Sequence, residues 1–346
     1  MGTTSTIPLF GRSYNLQVKF ASSGQSATQE VWSQKSWEPE ALRITFDVLQ
    51  STLPSPYWFA DISIYNLNGQ EIQNAIYNAT WATLSAGFQE GPSKSSIIWD
   101  GPVLQTLFER VDVVDFKITL HCLATIPLLN ESIMNFAVRQ YGSQADLVTK
   151  MVSEIGAPFN VSMSTTAKSL LSAKKYPRGK TVFGKVSKFL YEMSDDQFLG
   201  AWMDSNQAYF SALSEGKVNP DLIYSAPYPA GYIGAQVPAG VTQSIIGVPR
   251  QTPFGVNFTV LLDPRLVVKV PPLLVEIDRT VIAQMKVQYP GIMTPIDAHQ
   301  RFIAAQIRHR GDSRGDDWQT EITGYNETYA QNILKGVLLP VAQGNT

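Results

Sequence analysis

The stretch Phe302-Ile303-Ala304-Ala305-Gln306-Ile307-Arg308-His309-Arg310-Gly311-Asp312-Ser313-Arg314-Gly315-Asp316-Asp317-Trp318-Gln319-Thr320-Glu321-Ile322-Thr323-Gly324-Tyr325 carries the most specific local pattern in the chain. An apolar strand from Phe302 to Arg308 enters a loop dense in charge, and a second strand leaves it from Trp318 to Ile322. Gly311 and Gly315 stand where a turn would ask for positive φ, which only glycine adopts freely. The pattern predicts a β-hairpin with a charged tip.

Working outward, the same period of two returns along the chain. Tyr14, Leu16, Val18 and Phe20 alternate with polar residues, as do Leu42, Ile44, Phe46 and Val48. Further strands are predicted at Trp58–Tyr65, Trp81–Ala86, Ile97–Trp99 and Phe116–Cys122, and after the middle of the chain at Phe254–Leu262, Val268–Val270 and Leu273–Ile277. The polar segment between the first two strands, with Trp32 and Trp37, reads as a long loop, and Gln70–Tyr77 reads as a short helix. Strand, charged link, strand recurs in Ile97–Cys122 and Phe302–Tyr325, a faint internal repeat.

The period changes between the two β regions. Ser143 followed by Asp146 resembles a capping box, Leu147, Val148, Met151, Val152 and Ile155 keep helical spacing, and Gly156 is placed to stop the helix. A second helix is expected from Thr181 through Val182, Val186, Phe189, Leu190 and Met193. An aromatic hairpin should follow, Phe198–Met203 with Gln207–Phe210. The predicted fold is therefore a β-rich α+β chain: a β domain over 1–126, an α+β domain over 127–217, a Pro/Gly-rich connector over 218–253, a second β domain over 254–325 and a C-terminal arm over 326–346.

Composition narrows the function classes. With 346 residues the chain has room for two or three cores. A net charge of −2 from 27 basic and 29 acidic residues gives no electrostatic footprint for wrapping duplex DNA, so nucleic acid is not expected as an affinity target. Charged residues make up only 16%, which together with plentiful aromatics suggests surface covered by partners. The single cysteine, Cys122, forms no internal disulfide, and nothing has zinc-ligand spacing. No signal-peptide pattern and no apolar run long enough to span a bilayer is present, so synthesis in a cytoplasm and no stable membrane insertion are expected.

Several segments together look like a known family. Gly255-Val256-Asn257-Phe258-Thr259-Val260-Leu261-Leu262-Asp263-Pro264-Arg265 with Arg308–Thr320, and earlier Trp58–Leu67, Ser85–Phe88 and Phe116–Cys122, resemble the tail baseplate hub proteins of contractile-tailed bacteriophages, relatives of late control protein D and of type VI secretion spike hubs. The resemblance covers roughly Tyr14 to Tyr325 and rests on the order and joint presence of the segments. It implies two tail-tube-like β-barrel domains per chain with the α+β domain between them, and three chains in a ring. Such a homotrimer would adapt the six-fold tail tube protein to the three-fold central spike protein, contact other baseplate proteins, and let genomic DNA pass its lumen without specific binding. The implied location is the tail baseplate of the virion, and the implied role is structural.

The candidate site residues divide by their chemistry. Arg308, Arg310, Asp312, Arg314, Asp316, Asp317 and Trp318 are candidates for a subunit interface, and a solvated turn explains them equally well. Their aspartates lack the spacing and distal Glu of an EF-hand. His121, His299 and His309 are scattered, His121 reading as a strand residue and His309 as a loop neighbour. Asp195, Asp196 and Asp204 could make a glycosidase pair, but a helix end followed by a turn accounts for them. Gly179-Lys180-Thr181 ends like a phosphate loop, yet Lys174 stands where its first glycine belongs. No catalytic residue, cofactor or metal is expected. Trp32, Trp37, Trp81, Trp99 and Trp318 as a carbohydrate platform keep a rival open, a receptor-binding or cell-wall-degrading tail protein.

Overall fold

The computed structural model describes residues 11–22, 25–35, 42–51, 58–89, 93–124, 133–156, 160–186, 188–189, 192–193, 199–203, 207–212, 222–226, 241–252, 255–268, 273–278, 286–287 and 299–326. The N-terminal region forms strands β1 (Arg12–Ser22), β2 (Gln25–Lys35), β3 (Ile44–Ser51) and β4 (Trp58–Tyr65), helix α1 (Gln70–Tyr77), then β5 (Ala79–Phe88), β6 (Ser96–Arg110) and β7 (Phe116–Leu123). Alternation drives these strands: in β3 every second residue from Ile44 to Gln50 is buried while its neighbours are half-exposed. The predicted strand Trp58–Tyr65 and helix Gln70–Tyr77 are both present. The polar segment expected as a loop is instead β2, which pairs with β1 alone at the edge of the sheet. An edge strand needs no apolar alternation to be held, so its pattern was silent.

The middle region contains β8 (Ile133–Val138), α2 (Gln144–Ile155), β9 (Asn160–Met163), α3 (Thr165–Ala173), β10 (Lys180–Lys185), β11 (Leu199–Met203) and β12 (Gln207–Ala212). The capping box at α2 is formed, Ser143 Oγ accepting from Asp146 N at 3.1 Å and Asp146 Oδ2 accepting from Ser143 N at 2.8 Å, and Gly156 caps the far end at φ 82°. The aromatic hairpin is present as β11 with β12. The helix expected from Thr181 is present only in its later part: residues 180–185 form β10, antiparallel to β8, while Val186, Lys188, Phe189, Glu192 and Met193 are helical. Val182 is buried in β10 opposite Phe136, and Val186, also buried, belongs to the helical residues that follow, so one apolar spacing runs across a strand-to-helix junction.

The last region holds β13 (Leu222–Ser225), β14 (Val241–Gln243), β15 (Ile245–Thr252), β16 (Gly255–Leu261), β17 (Leu274–Asp278), β18 (Lys286–Val287), β19 (His299–Asp312) and β20 (Trp318–Asn326). Within 218–253, expected as a connector, the described residues form three strands. Residues 269–270 of one expected strand and the arm beyond Asn326 lie outside the described residues.

Fifteen of these strands make one largely antiparallel sheet, whose main path runs β18-β15-β16-β20-β19-β3-β4-β7-β6-β5-β1-β2. The fold is thus β-rich α+β, built on a single large sheet. Three apolar clusters pack it. One lies in the first region around Leu16, Ile62 and Trp99, one in the middle around Val148, Leu171 and Phe210, and one in the last region around Tyr224, Phe258 and Phe302. The first cluster also takes in Leu262 and Trp318, so the two β regions share apolar packing where β3 meets β19.

Candidate functional site

The charged hairpin sits on that seam. β19 and β3 pair antiparallel from Gln306 opposite Ser51 to Asp312 opposite Thr45. Partners across a ladder share a face, so the charges of β19 meet those of β3. Arg308 Nε donates to Asp47 Oδ1 at 2.7 Å, Arg310 Nη1 donates to Glu321 Oε1 at 2.8 Å, and Arg310 Nε lies 3.7 Å from Asp47. Asp312 accepts two bonds from Arg43, at 2.7 and 3.2 Å. Burial opposes ionisation of Asp312, but Arg43 and the backbone N–H groups of Arg314 and Gly315 outweigh it and hold the carboxyl below its usual range.

Arg12 opens β1 and reaches the same loop. Its Nη1 donates to the carbonyl oxygens of Asp312, at 2.9 Å, and of Gly315, and its guanidinium lies 5.5 Å over the Trp318 ring. Trp318 is buried, donates Nε1–H to Gly87 O at 3.2 Å and meets Phe46 edge-on with centroids 5.4 Å apart. Ser313 Oγ accepts from Ile44 N at 2.9 Å, which anchors the link between the strands to β3. An open cleft of about 360 Å³ lies above, lined among others by Asp47, Asp61, Ser63, Arg310, Asp312 and Asp317.

Of the seven interface candidates, then, Arg308, Arg310, Asp312 and Trp318 join the two β regions within one chain. Arg314, Asp316 and Asp317 are exposed at the tip. Exposed or half-exposed ion pairs add only about 0–1 kcal/mol each, so their main effect is to fix register while Trp318 and the ladder supply stability. The two glycines act differently from expectation. Gly311 is inside β19, and a Cβ there would lie 2.2 Å from the Phe46 ring; at Gly315 it would lie 2.5 Å from the Asp312 carboxylate. Close approach, and not positive φ, requires glycine at both.

Two polar groups at the seam left no trace in the sequence pattern. Gln50 is buried, donates to Ile98 O at 3.2 Å and accepts from Val268 N at 3.0 Å, so one amide ties β6 to the last region. Asp263 is fully buried, accepting from Tyr224 Oη at 2.8 Å and from Arg265 N and Nε at 3.0 and 2.9 Å. Its own N–H donates to Thr320 Oγ1 at 3.1 Å, whose hydroxyl contacts His309 Nδ1 at 2.9 Å. His309 is therefore a core residue of β19, not a loop neighbour, whereas His121 does lie on a strand and pairs with Asp61 at 2.6 Å.

The other candidates separate. Trp99 and Trp318 are buried, and the half-buried Trp81 ring has Lys19 Nζ 5.5 Å over it, so these three rings do not form one shared platform. Trp37, Asp195, Asp196 and Asp204 lie outside the described residues. Lys180 and Thr181 open a strand, which removes the phosphate-loop reading. Among the described residues no cluster of three or more His, Cys, Asp or Glu could hold a metal ion, and no helix is long and apolar enough to cross a membrane.

A β-rich α+β chain with this single large sheet is structurally similar to phage tail proteins. The tail protein from Neisseria meningitidis MC58 aligns over 92% of this chain and 97% of its own, with 12% identity and a TM-score of 0.53. The 43 kDa tail protein of prophage MuSo2 from Shewanella oneidensis aligns over 92% and 98%, with 10% identity and a TM-score of 0.52. A chain of the Francisella PdpA-VgrG complex matches 92% of this chain at 9% identity and a TM-score of 0.50, and this chain spans 58% of it. At these identities the likeness is one of fold. No protein-family model and no curated protein matches the sequence.

Proposed function

We propose that this chain is a structural hub subunit of a phage contractile-tail baseplate, acting as a homotrimer with two tail-tube-like β-barrels per chain. The observation that carries this reading is the near end-to-end likeness to two tail proteins, from Neisseria and from a Shewanella prophage. Two further features support it. The β6–β7 and β19–β20 hairpins are both long and both closed by five-residue links, 111–115 and 313–317, as a chain with two similar lobes would have. The β3–β19 ladder and its charges fix one lobe against the other, which a ring imitating six-fold symmetry with three chains needs. In this role the chain meets the tail tube protein on one side and the central spike on the other, contacts further baseplate proteins, and leaves DNA to pass its lumen without specific binding. Arg314, Asp316 and Asp317 at the exposed hairpin tip would face a neighbouring subunit. The domain divisions at 126, 217, 253 and 325 belong to the same proposal.

Mass measurement of isolated tails tests it: three copies per tail are expected, and six would overturn the trimer. Incubation with peptidoglycan and host polysaccharide is expected to give neither cleavage nor saturable binding; either result would favour the receptor-binding or wall-degrading alternative.

A further inference from the structure

The middle region carries a basic surface that the hub role does not use. Two turns are locked together there. Tyr141 N donates to Tyr176 O at 2.8 Å, Tyr176 N to Gly142 O at 2.9 Å and Gln144 N to Lys174 O at 3.0 Å, and Ser143 bridges to Lys175. Gly179, at φ 74°, lets the second turn close against the end of β8: a Cβ there would lie 2.7 Å from Val138 O. Lys180 then pairs opposite Val138, and Lys150 Nζ donates to Ala137 O at 2.7 Å. These adjoining turns and the elements they join carry Arg139, Lys150, Lys174, Lys175, Arg178 and Lys180, six of the chain's 27 basic residues, in a molecule whose net charge is −2; Lys150 Nζ also lies over the Phe136 ring and Lys180 Nζ over the Tyr176 ring. The carboxylate among them, Asp146, is held by Ser143 in the helix cap and is kept ionised by that cap and, more weakly, by the charges of Arg139 and Lys175. Among the described residues, no ion pair engages Arg139, Lys175 or Arg178, and all three are exposed.

A second observation is independent of charge. Tyr141, on the same turn, has φ 61°, a left-handed conformation costly for a residue with a Cβ, and its side chain is 66% exposed. The backbone bonds to Tyr176 and from Gly142 hold that conformation, so the structure maintains local strain while presenting an aromatic ring to solvent amid cations. Neutralising the C-terminal dipole of α3 accounts for Lys174 and Lys175, but not for Arg139, Arg178 or the ring. Cations beside an exposed aromatic ring are what a strand with unpaired bases requires: phosphates on the cations, a base on the ring.

We propose that the adjoining turns 139–142 and 174–180 bind single-stranded nucleic acid without sequence preference, its phosphodiester backbone lying on Arg139, Lys175, Arg178 and Lys180 and one base stacking on Tyr141. The site lies outside both β regions and does not depend on the trimer.

Fluorescence anisotropy of the full chain with a fluorescein-labelled oligothymidylate, over a range of NaCl, is the test. Binding should weaken with salt at a log–log slope of about −0.7 per phosphate neutralised, so replacing Arg139→Gln and Arg178→Gln together should flatten the slope by about 1.4. Tyr141→Ala should lower affinity about tenfold, the order of one lost base stack, and leave the slope unchanged. Tyr141→Phe should retain affinity, and thermal melting by circular dichroism shows that each variant is folded. Inorganic polyphosphate should compete poorly. Absence of binding by the wild-type chain, or an unchanged slope in the double glutamine variant, overturns the proposal. So does equal competition by polyphosphate together with an unaffected Tyr141→Ala, which would make the patch a site for base-free polyanions. All of these results are readable whether the chain is a trimer or a monomer, so they are separate from the hub reading.

Discussion

His309 shows how much one core position at the seam decides. It is fully buried, with Nε2 3.0 Å from Leu266 O and Nδ1 2.9 Å from the Thr320 hydroxyl. The neutral tautomer protonated at Nε2 satisfies both: Nε2–H donates to Leu266 O, and Thr320, which accepts from Asp263 N, gives its hydroxyl proton to Nδ1. Burial depresses the imidazole pKa to about 4, against the weaker opposing effects of the Leu266 carbonyl and Asp263. The unfolded chain binds this proton below about pH 6.5, and the native chain refuses it down to about 4. Stability from this residue is thus full above about pH 6.5 and falls as pH drops toward 4, a loss on the order of 3 kcal/mol. In the native protein the imidazole proton resonance of His309 should not titrate above pH 5; a midpoint near 6.5 would rule the account out. Gln50 offers a test of the same kind for a neutral group. Replacing Gln50→Leu leaves Ile98 O and Val268 N without their buried partner and should cost about 1–3 kcal/mol in chemical denaturation, whereas a surface glutamine would cost nearly nothing.

At the level of the element, the β19–β20 hairpin is built by close approach. Gly311 stands where the Phe46 ring crosses β19, and Phe46 in turn packs against Trp318. Gly311→Ala should therefore be destabilising by about 1–3 kcal/mol through overpacking, although alanine suits extended backbone, and a melting temperature equal to wild type would contradict this. A paired exchange of Arg310→Glu with Glu321→Arg should cost less than the sum of the two single changes, since the two side chains are diagonal neighbours bonded at 2.8 Å across the β19–β20 ladder. These same residues show what the sequence could reveal. Alternation made β3, β4 and β20 readable, and the Ser143–Asp146 pair made α2 readable, because each signal is local. The hairpin was visible, but its partner was not. That Arg308 meets Asp47 across 261 residues depends on which strand lies next in the sheet, which no local period encodes. His309 is hard to place for a related reason: flanked by two arginines it looks like a loop residue, yet it points to the other face of a strand whose arginines are half-exposed. Likewise β10 and β2 took their identity from neighbours, β8 and β1, and α3 is short and carries few apolar residues.

For the whole molecule, the consequence of one continuous sheet is that the two β regions should not unfold separately. Domains joined by a flexible linker open independently, because few contacts cross the boundary. Here the boundary is a strand ladder from Gln306 to Asp312 against Ser51 to Thr45, with Gln50 bonded to both regions and Trp318 buried in the first region's apolar cluster. Opening β3 would break its bonds to β19, uncover Trp318 and strand the Gln50 partners together. The middle region differs: its apolar cluster draws on strands and helices between Met134 and Phe210, and its strands form separate two- and three-stranded sheets. Native-state hydrogen exchange should therefore give residues 44–51 and 306–312 the same opening free energy, equal to the global value, while 133–138 and 180–185 exchange through a lower-energy opening of their own. Trp318→Ala, which removes about 3–5 kcal/mol of packing at the joint, should lower both β regions equally and leave the middle region's opening unchanged. Were 44–51 to exchange at one free energy and 306–312 at another, the two lobes would be independent domains, and rigid coupling across the seam could not be what sets their relative placement.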